Sequence, residues 1–401
     1  MTKHLTDFFK DSSARTVGII FALSGLSFGT WASFIPFVKD NFHLNSAELG
    51  LLLLGLPLGN FIANPLTVFL IRKWGAVRIA LVAGSLTSVF FALPVMGPSI
   101  ILASLGLVLA GASFGCSNVA MNTCASILED RNPNRIMSSC HGMWSLGAMF
   151  GSLFSGLGVV ILNQYSGSFL VPPSQYVILI AIIIVVIIWI IRKNLNIIKE
   201  IHQEPSEHPK MNWRSFRPTR ALWILISICL CTYLTEGTIA DWSAVFMKEI
   251  TFAPATIAGW GFAVYAFFMA ASRFMGDELI ARFGAMRVLR AGGVLVFIGL
   301  IIVIPSHSPW LALPGFMLIG MGISLASPIL YGSAAKVPGM APGVGLATLN
   351  TFAMASFLGG PVLIGFIAKV SDLRIAFMLV AFASIIWIFQ TTRVIRSASQ
   401  K

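Results

Sequence analysis

Residues 174–191 read SQYVILIAIIIVVIIWII, eighteen positions without one charge, and residues 192–220 behind them carry seven Lys or Arg and three prolines. An uncharged run of that length is what a helix needs to cross a hydrocarbon core about 30 Å thick at about 1.5 Å per residue. The basic, proline-rich stretch that follows cannot be buried in lipid. Five earlier apolar runs lie at about Thr16–Val38, Ser46–Ile71, Ala76–Val95, Ser99–Leu128 and Met137–Leu162. Six later ones lie at about Ala221–Met247, Ala255–Gly276, Met286–Ile304, Pro309–Ser333, Pro342–Val370 and Ile375–Phe389. The expected fold is therefore all-α: twelve transmembrane helices in two six-helix halves, residues 1–191 and 221–401, joined by the linker 192–220.

Composition agrees. The 401 residues are 57% hydrophobic and 10% charged, with a mean hydropathy of +0.86. A soluble domain carries about 25% charged residues, so a nonpolar solvent must take most of this surface. The alternating ten-residue pattern of a membrane β-barrel is absent. The net charge of +12 comes from Lys and Arg placed between apolar runs, not from a compact patch, which argues against nucleic acid as a partner. No GxxxxGK[ST] loop offers ATP drive. The five cysteines, at 116, 124, 140, 229 and 231, fall inside apolar runs without metal-ligand spacing, so neither metal nor cofactor is expected. The first run, Thr16–Val38, is too long for a signal-peptide core and reads as a retained helix.

With the first residues inside, twenty-two Lys or Arg fall on the cytoplasmic side and four, Lys39, Lys248, Lys369 and Arg374, on the other. That split favours both termini in the cytoplasm. The halves also repeat. Gly29-Thr30-Trp31-Ala32 aligns with Gly237-Thr238-Ile239-Ala240 at an offset of 208, Trp74-Gly75-Ala76-Val77-Arg78 with Phe283-Gly284-Ala285-Met286-Arg287 at 209, and Leu109-Ala110-Gly111 with Leu318-Ile319-Gly320 at 209. An offset spanning six helices keeps both halves in one membrane sense, a parallel repeat with a site between the halves near the midplane.

The loop Leu70-Ile71-Arg72-Lys73-Trp74-Gly75-Ala76-Val77-Arg78 resembles the hallmark loop of the major facilitator superfamily, and Arg282, Gly284 and Arg287 repeat it in the second half. Arg72 and Ala281 stand where the family has Asp, so the family's charge relay between halves is not implied. The segment Gly115-Cys116-Ser117-Asn118-Val119-Ala120-Met121-Asn122 is similar to the fucose-permease branch and to related bacterial permeases. So are Glu236–Trp242 and Ser272-Arg273-Phe274 to those permeases. The branch's acids near Ala32 and at Asn118 are missing, so its proton-coupling residues do not carry over. The Gly-Pro pair of drug antiporters is absent from Gly142–Gly147. The resemblance implies a monomeric transporter of the bacterial inner membrane, not an enzyme. It implies a small polar solute, such as a sugar or sugar derivative, moved with protons. Export of drugs or metabolites by antiport is the alternative.

An acid in a transmembrane run costs about 2.5–3.5 kcal/mol on insertion scales and marks a candidate site. Glu236 and Asp241 are two such acids, about 140° apart around one helix, with Glu236 the deeper. They are the candidate proton carriers, or else structural partners of Arg273. His141 joins them as a pH-responsive group. Asn118 and Asn122, four apart on one face, can bind solute hydroxyls or neighbouring helices. Trp31, Trp144 and Trp242 can stack on a sugar's apolar face or belong to an interface belt. Ser327 and Tyr331, with Ser324, form a stripe beside Pro328 suited to lining a cavity. Arg273 stands one turn from the expected end of its run, where it can snorkel or pair with Asp277. Glycines spaced four or five apart, among them 106, 111, 115, 151 and 156, are expected to pack helices closely.

Overall fold

The computed structural model describes residues 8–129, 136–164, 171–195, 219–335, 337 and 344–399. Among them there is no strand. The first six membrane helices are α1 (Ser12–Asn41), α2 (Ser46–Leu53 and Gly55–Trp74), α3 (Ala76–Phe90 and Leu93–Met96), α4 (Ile100–Glu129), α5 (Ile136–Asn163) and α6 (Pro172–Ile191). The second six are α7 (Arg220–Glu249), α8 (Trp260–Phe274 and Gly276–Phe283), α9 (Ala285–Val303), α10 (Pro309–Ile323 and Ala326–Ala334), α11 (Val344–Val370) and α12 (Leu373–Ser399). Eleven of these are long and apolar enough to cross as they stand. The twelfth, α8, is two shorter segments meeting at Met275. Most of the linker at 192–220 lies outside the described residues.

The duplication is written in the backbone as well as the sequence. Positive φ occurs at His43 (52°) and Phe252 (56°), and at Gly75 (81°) and Gly284 (83°). Both pairs are 209 residues apart, so the same turns recur at the same ends of the two halves. Gly75 and Gly284 each join two helices in a conformation that a Cβ resists.

Lipid gives helices little reason to associate, so close approach has to come from small residues. On α1 and α5 the glycines are reciprocal. A Cβ added at Gly25 would fall 2.0 Å from the Trp144 carbonyl oxygen, and one at Gly29 2.0 Å from that of Ala148. From the other side, a Cβ at Gly147 would fall 1.8 Å from the Ala22 oxygen and one at Gly151 2.3 Å from that of Leu26. Gly59 on α2 and Gly111 on α4 make the same kind of approach, at 2.0 Å from Val108 O and 1.9 Å from Leu56 O. The large apolar side chains that remain exposed, such as Phe61, Phe69, Ile190, Ile301 and Phe382, lie on α2, α6, α9 and α12 and meet lipid.

The halves meet unevenly along their length. At the end bearing Lys39, one apolar cluster runs through both halves and holds Trp31, Phe34 and Ile35 with Trp242 and Phe246. There α2 packs on α11, with a Cβ at Gly50 placed 2.6 Å from Pro361 O and one at Gly365 2.5 Å from Ser46 O. Ser152 Oγ on α5 donates to the Gly259 carbonyl at 2.6 Å. Two ion pairs finish the closure: Lys39 on α1 with Glu249 on α7, and Lys248 on α7 with Asp40 on α1. The two Lys-acid pairs are again 209 apart, so each half offers the same cation and anion and the bonds cross reciprocally.

At the end bearing Arg72 the first half closes its own separate apolar cluster, including Phe21, Ala80, Met121, Ile127 and Ile136. Among the described residues no hydrogen bond or ion pair joins α4 to α10 or α11. On α11 the exposed stripe Ala347, Asn350, Thr351, Ala355 and Gly359 is small and polar, unlike the lipid-facing stripes. Among the described residues it lines a cleft between the halves that is shut at the Lys39 end and open at the Arg72 end.

Gly147→Leu should lower the melting temperature and folded yield in detergent, since overpacking costs about 1–3 kcal/mol. Gly332→Leu, with nothing within 4 Å of a new Cβ, should not; equal melting of the two would refute the close-approach argument. Glu249→Lys should populate a conformation open at the Lys39 end about tenfold more, ~1.4 kcal/mol, and adding Lys39→Glu should reverse this. Spin labels at Asn41 and Phe252 would report it as a longer distance in the single variant only.

Candidate functional site

The cleft walls carry polar side chains from both halves. On α4, Asn122 Nδ2 donates to the Asn118 carbonyl at 2.8 Å and to its Oδ1 at 3.1 Å, so the two amides share one half-buried face. On the opposite wall the Tyr233 and Tyr331 hydroxyls are 2.6 Å apart, and Tyr331 donates to Asn350 Oδ1 at 3.3 Å. Ser327, one turn before Tyr331, sits beside the Tyr233 hydroxyl. This set joins α7, α10 and α11. Glu236, one turn beyond Tyr233, lies within electrostatic reach of both tyrosines.

One half-buried cation, Arg273, stands inside the helix bundle. Arg273 stands in the last turn of the segment Trp260–Phe274, as expected, but a second segment, Gly276–Phe283, carries α8 on past a bend at Met275, so the helix reaches ten residues or about 15 Å beyond Arg273. The charged residues after Gly276 made that segment look like a loop, but it is the last part of a broken helix. The expected pairing with Asp277 falls outside the described side chains. The guanidinium does not snorkel. Its Nη1 donates to Ser145 Oγ at 2.7 Å and to the His141 carbonyl at 3.4 Å, both on α5. Its Nε donates to the Ser324 carbonyl on α10 at 3.4 Å. That carbonyl is free because Pro328, four residues on, has no N–H to return to it. The bend in α8 is also served from α5, where Ser138 Oγ donates to the Arg273 carbonyl at 3.1 Å. Arg273 thus ties both halves together at a point where two helices are broken.

Glu236 is within electrostatic reach of Arg273 but forms no ion pair with it. It is partly exposed, and no hydrogen bond among the described residues satisfies its carboxylate. Asp241, also partly exposed, does not share these neighbours, in keeping with its different helix face. The His141 ring stands edge-on to Phe21 of α1 at 5.4 Å.

The expected tryptophans divide. Trp31 is 1% exposed and stacks on Phe91 at 6.0 Å, and Trp242 is fully buried. Both lie in the sealed Lys39 end, so in this conformation neither offers a ring face for a sugar to stack on. Trp144 is half-buried and tilts against Phe28 at 5.7 Å. Phe28 further meets Phe91, Phe114 and, across the halves, Phe262. Within this aromatic group Phe28, Phe91 and Phe262 are buried, and Phe114 and Trp144 are partly exposed. Arg72, Gly75, Arg78, Arg282, Gly284 and Arg287 are all exposed at the open end, and none of the arginines makes an ion pair among the described residues. Sequence reasoning missed Tyr233 and Asn350 as cleft residues, and missed the Lys39, Asp40, Lys248 and Glu249 quartet. Tyr233 had a signal, its i, i+3 spacing to Glu236. The quartet had a stronger one, a Lys-acid dipeptide repeated at the offset already found.

A family model described as the Major Facilitator Superfamily matches residues 17–352. An uncharacterised MFS-type transporter of Yersinia pestis is 33% identical over 321 residues, covering 79% of each chain. Among solved structures, the nucleoside transporter NupG superposes with a TM-score of 0.67 at 13% identity, covering 95% of this chain and 99% of that one. The MFS transporter FucP, in an outward conformation, superposes at 0.57 and 18% identity, covering 94% and 99%. Those two likenesses bear on the fold. The matched family model and the Yersinia relative show that this chain belongs to the Major Facilitator Superfamily of membrane transporters, which are not enzymes.

Proposed function

We propose that the protein carries a small polar solute, of the sugar or sugar-derivative kind, across the bacterial plasma membrane by alternating access in symport with protons. In this reading the halves are residues 1–191 and 221–401, the linker 192–220 and both termini are cytoplasmic, and the protein acts as a monomer. The basic side chains at the Arg72 end support that orientation, which makes the present conformation inward-open. The observation that carries the reading is the cleft itself. Half-buried amides on α4 of one half and hydroxyls on α7 and α10 of the other stand in helices that no described bond joins, while ion pairs clasp the halves at the Lys39 end. That NupG moves nucleosides, polyhydroxylated solutes, adds weight to the solute class.

Glu236 is assigned the travelling proton. It faces the cleft without a partner, and a protonated carboxyl crosses with the solute where a charged one resists the movement. The aromatic cluster of Phe28, Phe91, Phe114, Trp144 and Phe262, with Phe114 and Trp144 partly exposed, favours a second reading, proton-driven export of amphipathic compounds.

Proteoliposomes under an imposed pH gradient separate the two. Symport predicts that solute uptake and proton entry run in the same direction; opposed fluxes, with drug sensitivity on gene deletion, would favour export instead. Glu236→Gln should abolish accumulation driven by the gradient, at least tenfold, while leaving solute exchange at equal concentrations intact. Loss of both, in a variant that melts like the wild type, would move Glu236 from coupling to binding.

A further inference from the structure

We propose that Arg273 receives the solute through a negatively charged group, so that the transported compound is a small hydroxylated carboxylate such as a sugar acid. This rests on the transport reading and narrows its substrate class.

The argument begins with the number of donors. A guanidinium has five N–H groups in a planar fork. Arg273 commits its Nε and its Nη1 to three acceptors, Ser324 O, Ser145 Oγ and His141 O, and all three are uncharged. Nη2 makes no hydrogen bond among the described residues. It is not sealed either: Arg374 Nε is enclosed without a partner, whereas no Arg273 atom is. Arg273 is partly exposed, about 15 Å of helix from the end of α8. A permanent charge at that depth is costly unless an anion answers it. No described carboxylate comes within ion-pair distance. Among the described side chains the acid within electrostatic reach is Glu236, which forms no ion pair with Arg273 and is itself without a hydrogen bond.

The three bonds that are made also have a purpose in this reading. They come from α5 and α10 and fix the plane of the guanidinium, leaving the two N–H groups of Nη2 to donate to a carboxylate oxygen. Glu236, the Tyr233–Tyr331 pair and Asn350 supply acceptors and donors suited to hydroxyls. A solute with a carboxylate at one end and hydroxyls along its length meets both. Because Ser145 belongs to the first half and Ser324 to the second, such an anion would also sit where the halves move against each other.

The test compares D-glucuronate, D-galacturonate and D-gluconate with D-glucuronamide, D-glucose and L-fucose as stabilisers of the purified full-length protein in thermal unfolding. At least one acid should raise the melting temperature, and glucuronamide, which keeps the shape of glucuronate without its charge, should need at least tenfold higher concentration. Arg273→Gln should erase the preference for acid over amide; Arg273→Lys, a point charge without the fork, should keep part of it. The acid–amide comparison in the wild type stands even if Arg273→Gln fails to fold. Equal response to acid and amide, a response to neutral sugars alone, or no response to any acid each overturns the inference. In the second of these cases the transport reading survives, and proton flux driven by the neutral sugar would show that it does. A purely structural Arg273 would lower the melting temperature when replaced but leave the acid-to-amide ratio unchanged.

Discussion

Everything in this protein depends on helices approaching closely in a solvent that does not push them together. Lipid tails are as apolar as the side chains that face them, so contact is won by shape and by polar bonds. The reciprocal glycines of α1 and α5 bring backbone to backbone, with carbonyl oxygens where a methyl group would otherwise stand. Such contact fixes helix pairs within a half as rigid units. Motion is then left to the contacts between halves, where glycine approaches such as Gly50 on Pro361 are joined by ion pairs.

Those contacts follow from duplication. A gene copy that carries a Lys followed by an acid at the end of its first helix provides, twice over, a cation and an anion at pseudo-symmetric positions. Facing each other across the pseudo-twofold axis, the two copies can only pair crosswise, as in an isologous interface. Lys39 with Glu249 and Lys248 with Asp40 are that solution. At the opposite end the same symmetry works against closure. Arg72, Arg78, Arg282 and Arg287 are offered without the acid that the family's loop supplies, and like charges there do not latch. The asymmetry between a charged clasp at one end and unmatched arginines at the other agrees with the open cleft.

Arg273 shows how broken helices are put to use. The bend of α8 at Met275 and the proline in α10 each release a carbonyl that an unbroken helix would consume. One is taken by Ser138 from α5, and the other helps to hold the guanidinium. Irregular backbone at membrane depth is tolerated where it is enclosed in protein or lines a cavity, and both conditions meet here.

The fold was legible because its signals are local and additive. Runs without charge, the excess of Lys and Arg in alternate loops, and a constant repeat offset need no knowledge of contacts, and the twelve helices follow from them. The site was legible only in part. Glu236, Asn118, Asn122, Ser327 and Tyr331 could be singled out because polar groups in apolar runs are costly, and the cost is visible residue by residue. The sequence could not say that Trp31 and Trp242 are shut inside the closed end, that Tyr233 meets Tyr331, or that Arg273 is deep and bonded to the other half. Those facts turn on where a helix bends and which faces of distant helices meet. Bends and interfaces are decided by packing across more than a hundred residues of chain, and no single run of the sequence carries that information.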